Sequence, residues 1–154
     1  MTSPFEQLAR MGIELPDLAA PVAAYVPAVR SGDHVYVSGQ LPWRSGELIA
    51  TDKVGDGVNP ERAAECAKQC ALNGLAAINS VVSLERVTRI VKVVVFVAST
   101  PDFTGQPTVA NGASEFLGEV FGDAGVHARS AVGVAALPLD TPVEIELVVE
   151  VEGG

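Results

Sequence analysis

The chain has 154 residues, 48% of them hydrophobic and 19% charged, which predicts one globular domain with its own core and excludes a disordered segment. Its net charge of −9 at pH 7 argues against nucleic-acid binding through a basic surface and favours small or neutral partners. No apolar run approaches the ~20 residues that a membrane span needs, and the N-terminal residues lack the pattern of a signal peptide. We therefore expect a cytoplasmic protein with no membrane partner.

The first half of the chain predicts a short helix, three strands and a long helix. Ser3 and Pro4 are a helix-start signal and Gly12 a stop signal, which gives a helix over 3–12. Strands are expected at 24–30, 34–38 and 46–50. Asn59 followed by Pro60 predicts the start of the long helix, whose small apolar residues recur at helical spacing and should allow close packing.

The second half predicts a strand over 86–98, a helix over 107–121, and strands near 128–136 and 143–151. The valines of 86–98 are nearly continuous, which is typical of a central strand covered on both faces. The order of elements suggests two helices packed on one face of a single mixed sheet. We find no internal repeat and no break between domains, so the whole of 1–154 is expected to be one domain.

The last two strands carry charges in an unusual setting. Arg129 shares its strand face with the small residues Ala131, Gly133 and Ala135, so there is room beside the guanidinium for a planar anion. The final strand alternates an apolar face with a face that begins at Glu144. A simpler interpretation is a solvated sheet face with a structural ion pair to the arginine.

A simple hairpin between these two strands predicts that Arg129 lies opposite Glu150. Glu144 is then ~20 Å further along at ~3.3 Å per residue. In that arrangement Arg129 and Glu144 can act on one small ligand only across a subunit interface, or with a different strand register.

The cysteines and histidines do not form a metal motif. Cys66 and Cys70 are four residues apart, which differs from the CxxC spacing and predicts two thiols packed on one helix face. The two histidines have no accompanying ligand cluster, so no metal site is expected. His127 is interpreted as an ordinary residue at a strand edge, and the alternative is that it tunes the site at Arg129.

Four segments in order make the chain similar to the reactive intermediate deaminase (Rid, YjgF/L-PSP) family. They are Tyr25 with VSGQLP at 37–42, Asn111 in TVAN at 108–111, ARSAVGVAALP at 128–138, and VEIE at 143–146. The resemblance covers about residues 22–152 and leaves residues 1–21 as an N-terminal extension. Ala131 stands where many members have a cysteine, which indicates a divergent subgroup.

The resemblance implies an α+β, chorismate-mutase-like fold and a homotrimer with ligand clefts between subunits. The implied activity is hydrolysis of enamine or imine intermediates such as 2-iminopropanoate to 2-keto acids and ammonia, with no metal or organic cofactor. Arg129 would bind the substrate carboxylate, and Glu144 would position or activate the attacking water. The remaining implied cleft residues are Tyr25, Ser38, Gly39, Asn111 and Ala131.

Three other functions remain open at this point, and one of them is hydrolysis of another acyl or carbamoyl compound. The same trimeric scaffold can serve as a non-catalytic small-carboxylate binder or regulatory protein, which would hold 2-keto acids at Arg129 without turnover. An endoribonuclease, the activity in the family's older name, is disfavoured by the charge of −9 and by the lack of basic residues interleaved with aromatic ones.

Overall fold

The structure is a computed structural model that describes residues 2–18 and 24–153. The extension expected at 1–21 therefore lies partly outside the described residues. The helices are α1 (Pro4–Arg10), α2 (Pro60–Asn79) and α3 (Gln106–Phe121). The strands are β1 (Ala28–Ser31), β2 (His34–Gln40), β3 (Trp43–Arg44), β4 (Glu47–Leu48), β5 (Val87–Ala98), β6 (Ala128–Val134) and β7 (Val143–Val151).

Five strands form one mixed sheet in the order β1-β2-β7-β5-β6. All neighbours are antiparallel except β5 and β6, which are parallel and are connected through α3. The expected hairpin between β6 and β7 is therefore wrong, because β5 lies between them. Arg129 pairs with Val93, which in turn pairs with Leu147 and not with Glu150. The connection from β6 to β7 passes over the end of β5 and leaves β6 at an edge of the sheet.

The long helices pack on one face of this sheet, as the periodicity predicted. The Asn59 side chain accepts a hydrogen bond from the Arg62 N–H at 2.8 Å, and Pro60 is at the first helical position of α2. Strand β7 alternates strictly, with every second residue from Val143 to Val151 buried beneath the helices. The resulting core is almost entirely aliphatic, and Phe116 is its one fully buried aromatic side chain among the described residues.

The other face of the sheet is not covered by helices. On β5, Val94 and Phe96 face this side and are only half-buried. The expectation that β5 is covered on both faces is therefore wrong within one subunit. Val29, Tyr36 and Val132 have exposed fractions of 51%, 50% and 44%, which makes this outer face unusually apolar for a solvated surface.

Helices α2 and α3 approach closely because their contact residues are small. A Cβ placed on Gly112 of α3 would overlap the backbone carbonyl of Ala64 in α2. Cys66 and Cys70 are both free and buried on α2, as the sequence predicted. Burial raises the pKa of the Cys66 thiol to about 11 and raises that of Cys70 well above its usual range.

Three boundaries differ from the sequence predictions for local reasons. The first strand begins at Ala28 and not at 24, since Pro27 has no N–H to donate to a ladder. Strand β6 ends at Val134, whose partner Ala98 is the last residue of β5. The segment expected as a third sheet strand at 46–50 forms instead one side of the separate β3–β4 hairpin.

Candidate functional site

Arg129 lies on the helix side of the edge strand β6, below α3. Its Nη1 donates hydrogen bonds to Asn111 Oδ1 at 2.8 Å and to Ser114 Oγ at 3.2 Å. Asn111 and Ser114 are three residues apart on α3 and therefore share one helix face. The fold thus brings Asn111 to Arg129 from a site 18 residues earlier in the chain.

The guanidinium is held by neutral groups and not by a carboxylate. Within the described residues, no Asp or Glu oxygen lies within 4.0 Å of Arg129. Both of its side-chain hydrogen bonds use Nη1, so in the described part of the chain Nε and Nη2 remain free to donate. The expected ion pair with a β7 glutamate is therefore absent from these residues, and the fork can accept an anionic ligand.

The open space beside Arg129 differs from the one that the strand pattern suggested. Ala131 lies on the same face as Arg129 but packs against the core, and the space at Gly133 is taken by Gln106 and Ser99. A groove of about 280 Å³ instead lies on the α3 side of the arginine. Its lining consists of Ser114, Gly118, Gly125, Val126, His127 and Arg129.

Glu144 is the centre of a second cluster, on the outer face of the sheet. It is half-buried, and its neighbours in the chain, Val143 and Ile145, are fully buried on the helix side. Gly39 of β2 lies directly against it, because a Cβ at position 39 would overlap Glu144 Oε2. Burial, and then the nearby Glu146 carboxylate, raise the pKa of Glu144.

Ser38 and Tyr25 belong to the same region as Glu144. The Ser38 hydroxyl donates to the Val26 carbonyl at 2.7 Å, and the Ser38 N–H donates to the Pro27 carbonyl at 2.9 Å. These bonds hold the segment that contains Tyr25 beside β2. The Tyr25 side chain has an exposed fraction of 54%. Tyr25, Ser38, Gly39 and Glu144 therefore lie in one region around the neighbouring strands β2 and β7.

One subunit does not bring Arg129 and Glu144 together. Their positions are separated by two strand spacings and three residues, because Glu144 pairs with Phe96 and Arg129 with Val93. At ~4.8 Å between strands and ~3.3 Å per residue, their Cα atoms are about 14 Å apart. Their side chains also point to opposite faces of the sheet. The site residues therefore form two half-sites, one with Arg129 and Asn111 and one with Glu144.

His127 is more than the ordinary strand-edge residue that its position suggested. Its Nε2 lies 2.8 Å from Ser114 Oγ and its Nδ1 lies 2.6 Å from the Gly125 carbonyl oxygen. Ser114 therefore contacts both His127 and Arg129. A signal for this cluster was present in the sequence, since Asn111, Ser114 and Gly118 recur at i, i+3 and i+7 on one helix face.

A larger groove of about 640 Å³ lies on the far side of α2. It is bordered by the N-terminal segment, the β3–β4 hairpin and α2. The single tryptophan, Trp43, lines this groove and not the surroundings of Arg129 or Glu144. A series of hydrogen bonds lines this groove. The exposed Arg44 donates to Gln69 at 3.4 Å, Gln69 donates to Asn73 at 3.0 Å, and Asn73 donates to the carbonyls of Leu41 and Trp43.

The described residues contain neither a metal-binding cluster nor a membrane-spanning helix. Across 2–18 and 24–153, no three His, Cys, Asp or Glu side chains are grouped closely enough to hold a metal ion. Over the same ranges, every helix is too short or too polar to cross a lipid bilayer.

Comparison with known proteins identifies relatives over nearly the full chain. The family model described as Endoribonuclease L-PSP matches residues 17–151. Protein TCP17 from Trypanosoma cruzi is 44% identical over 93% of this chain and 91% of its own. A 2-iminobutanoate/2-iminopropanoate deaminase from Dermatophagoides farinae is 34% identical over 91% of this chain and 95% of its own. The crystal structure of Atu1372 from Agrobacterium tumefaciens has a TM-score of 0.89 and 41% identity, over 95% of this chain and 91% of its own.

Proposed function

The chain belongs to the endoribonuclease L-PSP (YjgF, Rid) family, and from this premise we propose that it hydrolyses small 2-imino acids to 2-keto acids and ammonia. The relative from Dermatophagoides farinae is named for 2-iminobutanoate and 2-iminopropanoate, which gives the substrate class. The observation that carries the proposal is Arg129, whose side-chain hydrogen bonds within the described residues use only Nη1 and leave the rest of the fork for a carboxylate.

The proposed reaction needs one anion-binding group and one base. The Arg129 fork binds the substrate carboxylate with two parallel hydrogen bonds and so orients the C=N carbon. Glu144 in its ionised form takes a proton from water as the oxygen attacks that carbon. The C=N electrons move onto the nitrogen, and the same carboxyl returns the proton to it, which gives a carbinolamine. A second transfer through the carboxyl moves the hydroxyl proton to the nitrogen, the C–N bond breaks with its electrons leaving on ammonia, and the C=O of the 2-keto acid forms. The raised pKa of Glu144 supports this role, because it makes the carboxyl a better base.

The proposal requires a second copy of the chain. Arg129 and Glu144 lie on opposite sheet faces and about 14 Å apart at their Cα atoms by strand spacing. A homotrimer would join the two half-sites if strand β6 of one subunit meets the region of Ser38, Gly39 and Glu144 in the next subunit. The apolar outer face, with Val29, Tyr36 and Val132 exposed, supports such association.

The test is a coupled assay in which a pyridoxal-phosphate-dependent enzyme generates 2-iminopropanoate in the cuvette. Wild-type protein should accelerate loss of the imine. Arg129→Ala should lower kcat/KM at least about 30-fold, because a charged pair at a binding site is worth about 2 kcal/mol or more. Arg10→Ala, which removes an exposed arginine from the end of α1, is the matched control and should retain activity. Lack of acceleration by folded wild-type protein would refute the proposal for this substrate.

A second candidate function is non-catalytic binding of small carboxylates. It is favoured by the finding that the Arg129 half-site, with Asn111 and Ser114, is complete within one subunit while Glu144 is remote. Titration calorimetry with pyruvate and 2-ketobutanoate distinguishes the two functions. Binding that is lost in Arg129→Ala, in a protein without imine turnover, would establish the binder.

A further inference from the structure

The contacts between Ser114 and His127 are not used by imine hydrolysis. We propose that these two residues form a nucleophile–base pair, and that the groove beside them hydrolyses small carboxylic esters. This activity is separate from the proposed function, because it requires no imine and no contact with Glu144.

The proton positions follow from the partners of the imidazole. The Gly125 carbonyl oxygen can only accept, so His127 Nδ1 carries the proton in the 2.6 Å hydrogen bond between them. In the neutral ring, Nε2 then presents its lone pair to Ser114 Oγ at 2.8 Å. The hydroxyl therefore donates its proton to Nε2. This is the geometry of a serine with its general base, and the base is itself oriented by a third group.

Arg129 adds a positive charge beside the hydroxyl. Its Nη1 donates to Ser114 Oγ at 3.2 Å, which favours the negative charge that develops on this oxygen as its proton moves to His127. The guanidinium also lies beside the groove, where it can stabilise the oxyanion formed from a bound carbonyl. Ser114 therefore has a base on one side and a cation on the other.

The groove gives a substrate access to this pair. Its volume of about 280 Å³ fits a short acyl chain with a small alcohol. Gly118 is one helical turn beyond Ser114, and a Cβ built there meets no atom within 4 Å, so this wall is open. Val126, with an exposed fraction of 63%, adds an apolar surface at the rim. The substrate class is therefore a small ester with a short apolar acyl group.

The reaction balances without a cofactor. Ser114 Oγ bonds to the acyl carbon, its proton passes to His127 Nε2, and the carbonyl electrons move onto an oxygen beside Arg129. The bond to the alcohol oxygen then breaks, and that oxygen takes the proton from Nε2. In the second half a water molecule, deprotonated by Nε2, attacks the acyl-serine, and the carboxylic acid leaves as Ser114 recovers its proton.

The experiment measures hydrolysis of 4-nitrophenyl acetate by the full-length protein, together with intact-protein and peptide mass spectrometry. We expect acetylation at Ser114, and rates that fall at least about 100-fold in Ser114→Ala and His127→Gln, the usual size of a general-base contribution. The matched controls are Ser130→Ala, which alters the next residue after Arg129 on the opposite sheet face, and His34→Gln, which removes the other histidine. Both should keep the wild-type rate.

A further variant tests the groove without removing Ser114 or His127, in case their replacement prevents folding. Gly118→Leu should fill the groove and block acetylation while leaving the Ser114–His127 contact in place, because the added side chain enters open space. Absence of acetylation at Ser114, or an unchanged rate in Ser114→Ala, would overturn the proposal. If Ser114→Ala hydrolyses the ester at the wild-type rate but hydrolyses the imine more slowly, the proposal is also overturned. Ser114 and His127 would then serve only to position Arg129. Failure of the imine assay alone leaves these readouts unaffected.

Discussion

Gly39 and Glu144 show how a single missing side chain makes room for a half-buried carboxylate. The Glu144 carboxylate occupies the space that a Cβ at position 39 would need, and it is held there in a half-buried setting near Glu146. Both effects disfavour the ionised form, so the pKa of Glu144 is raised. Glu144 is thus a residue whose ionised form destabilises the fold.

Replacing Glu144 by glutamine should therefore raise the stability of the fold at neutral pH and lower the rate of imine hydrolysis. Because the folded-state pKa is raised above the unfolded one, the folded chain binds more protons between these two values, and the wild-type stability falls as pH rises through that window. Glu144→Gln has no such titration. Its Tm should exceed that of the wild type at neutral pH, and the difference should shrink as pH falls through the window. Its imine hydrolysis should drop about 100-fold.

The measurement is a series of thermal melts of both proteins at several pH values. Glu152→Gln serves as the comparison, since it removes an exposed carboxylate that has no part in the raised pKa of Glu144. A Tm difference for Glu144→Gln that stays constant from acidic to neutral pH would contradict this account.

At the scale of elements, the packing of α2 on α3 depends on Gly112. A Cβ at this position would overlap the Ala64 carbonyl, which belongs to a helix backbone and cannot rotate away. The small residues of both helices thus set the distance between them. They also set the height of Asn111 and Ser114 above Arg129, since these two residues lie on the same helix as Gly112.

Two glycine substitutions in α3 should have opposite effects on the free energy of unfolding. Gly112→Ala should lower it by about 1–3 kcal/mol, the usual cost of overpacking. Gly118→Ala should raise it by about 0.5–1 kcal/mol, because alanine is the better helix former and its Cβ meets no atom within 4 Å. Urea unfolding measures both, and a Gly112→Ala protein as stable as the wild type would mean that the helices separate freely.

Local signals in the sequence were sufficient to predict most elements but not the order of the strands. Strand β7 alternates so strictly that its bounds, 143–151, were predicted without error, and the Asn59–Pro60 signal marked the start of α2. The position of β5 between β6 and β7 was missed, because a short connection between two strands usually indicates a hairpin. In the structure β6 pairs in parallel with β5, and α3 connects the two strands. This pairing joins residues that are distant in the sequence, so local signals do not reveal it.

The same limit applies to the candidate site. Asn111 was linked to Arg129 by family resemblance, and the fold supplies the physical contact at 2.8 Å. The contact between His127 and Ser114 was not predicted, because the two residues are 13 positions apart in the chain and meet only once α3 lies over the start of β6. Helical spacing places Asn111 and Ser114 on one face of α3, but it does not show which strand residues this face meets.

For the whole molecule, the two half-sites on opposite faces predict a complementation experiment. In the proposed homotrimer, Arg129→Ala and Glu144→Gln subunits should each be inactive alone. When equal amounts are unfolded and refolded together, about a quarter of the sites should combine an intact arginine from one subunit with an intact glutamate from the next. Imine hydrolysis should recover to about that fraction of the wild-type rate.

The control is to mix the two proteins without unfolding, which should restore no activity on a timescale shorter than subunit exchange. Persistent inactivity of the refolded mixture, with trimers present by sedimentation, would show that Arg129 and Glu144 do not act across an interface.

The burial of Cys66 and Cys70 on α2 has a practical consequence for following the dynamics of the chain. Their raised pKa values leave almost no thiolate at neutral pH in the folded state, and Cys70 lies with its sulfur 3.7 Å from the Val143 carbonyl of β7. An alkylating reagent therefore reacts only in molecules where α2 has separated from the sheet. The labelling rate therefore measures how often α2 separates from the sheet, and it can be followed in the native protein without introducing a new cysteine.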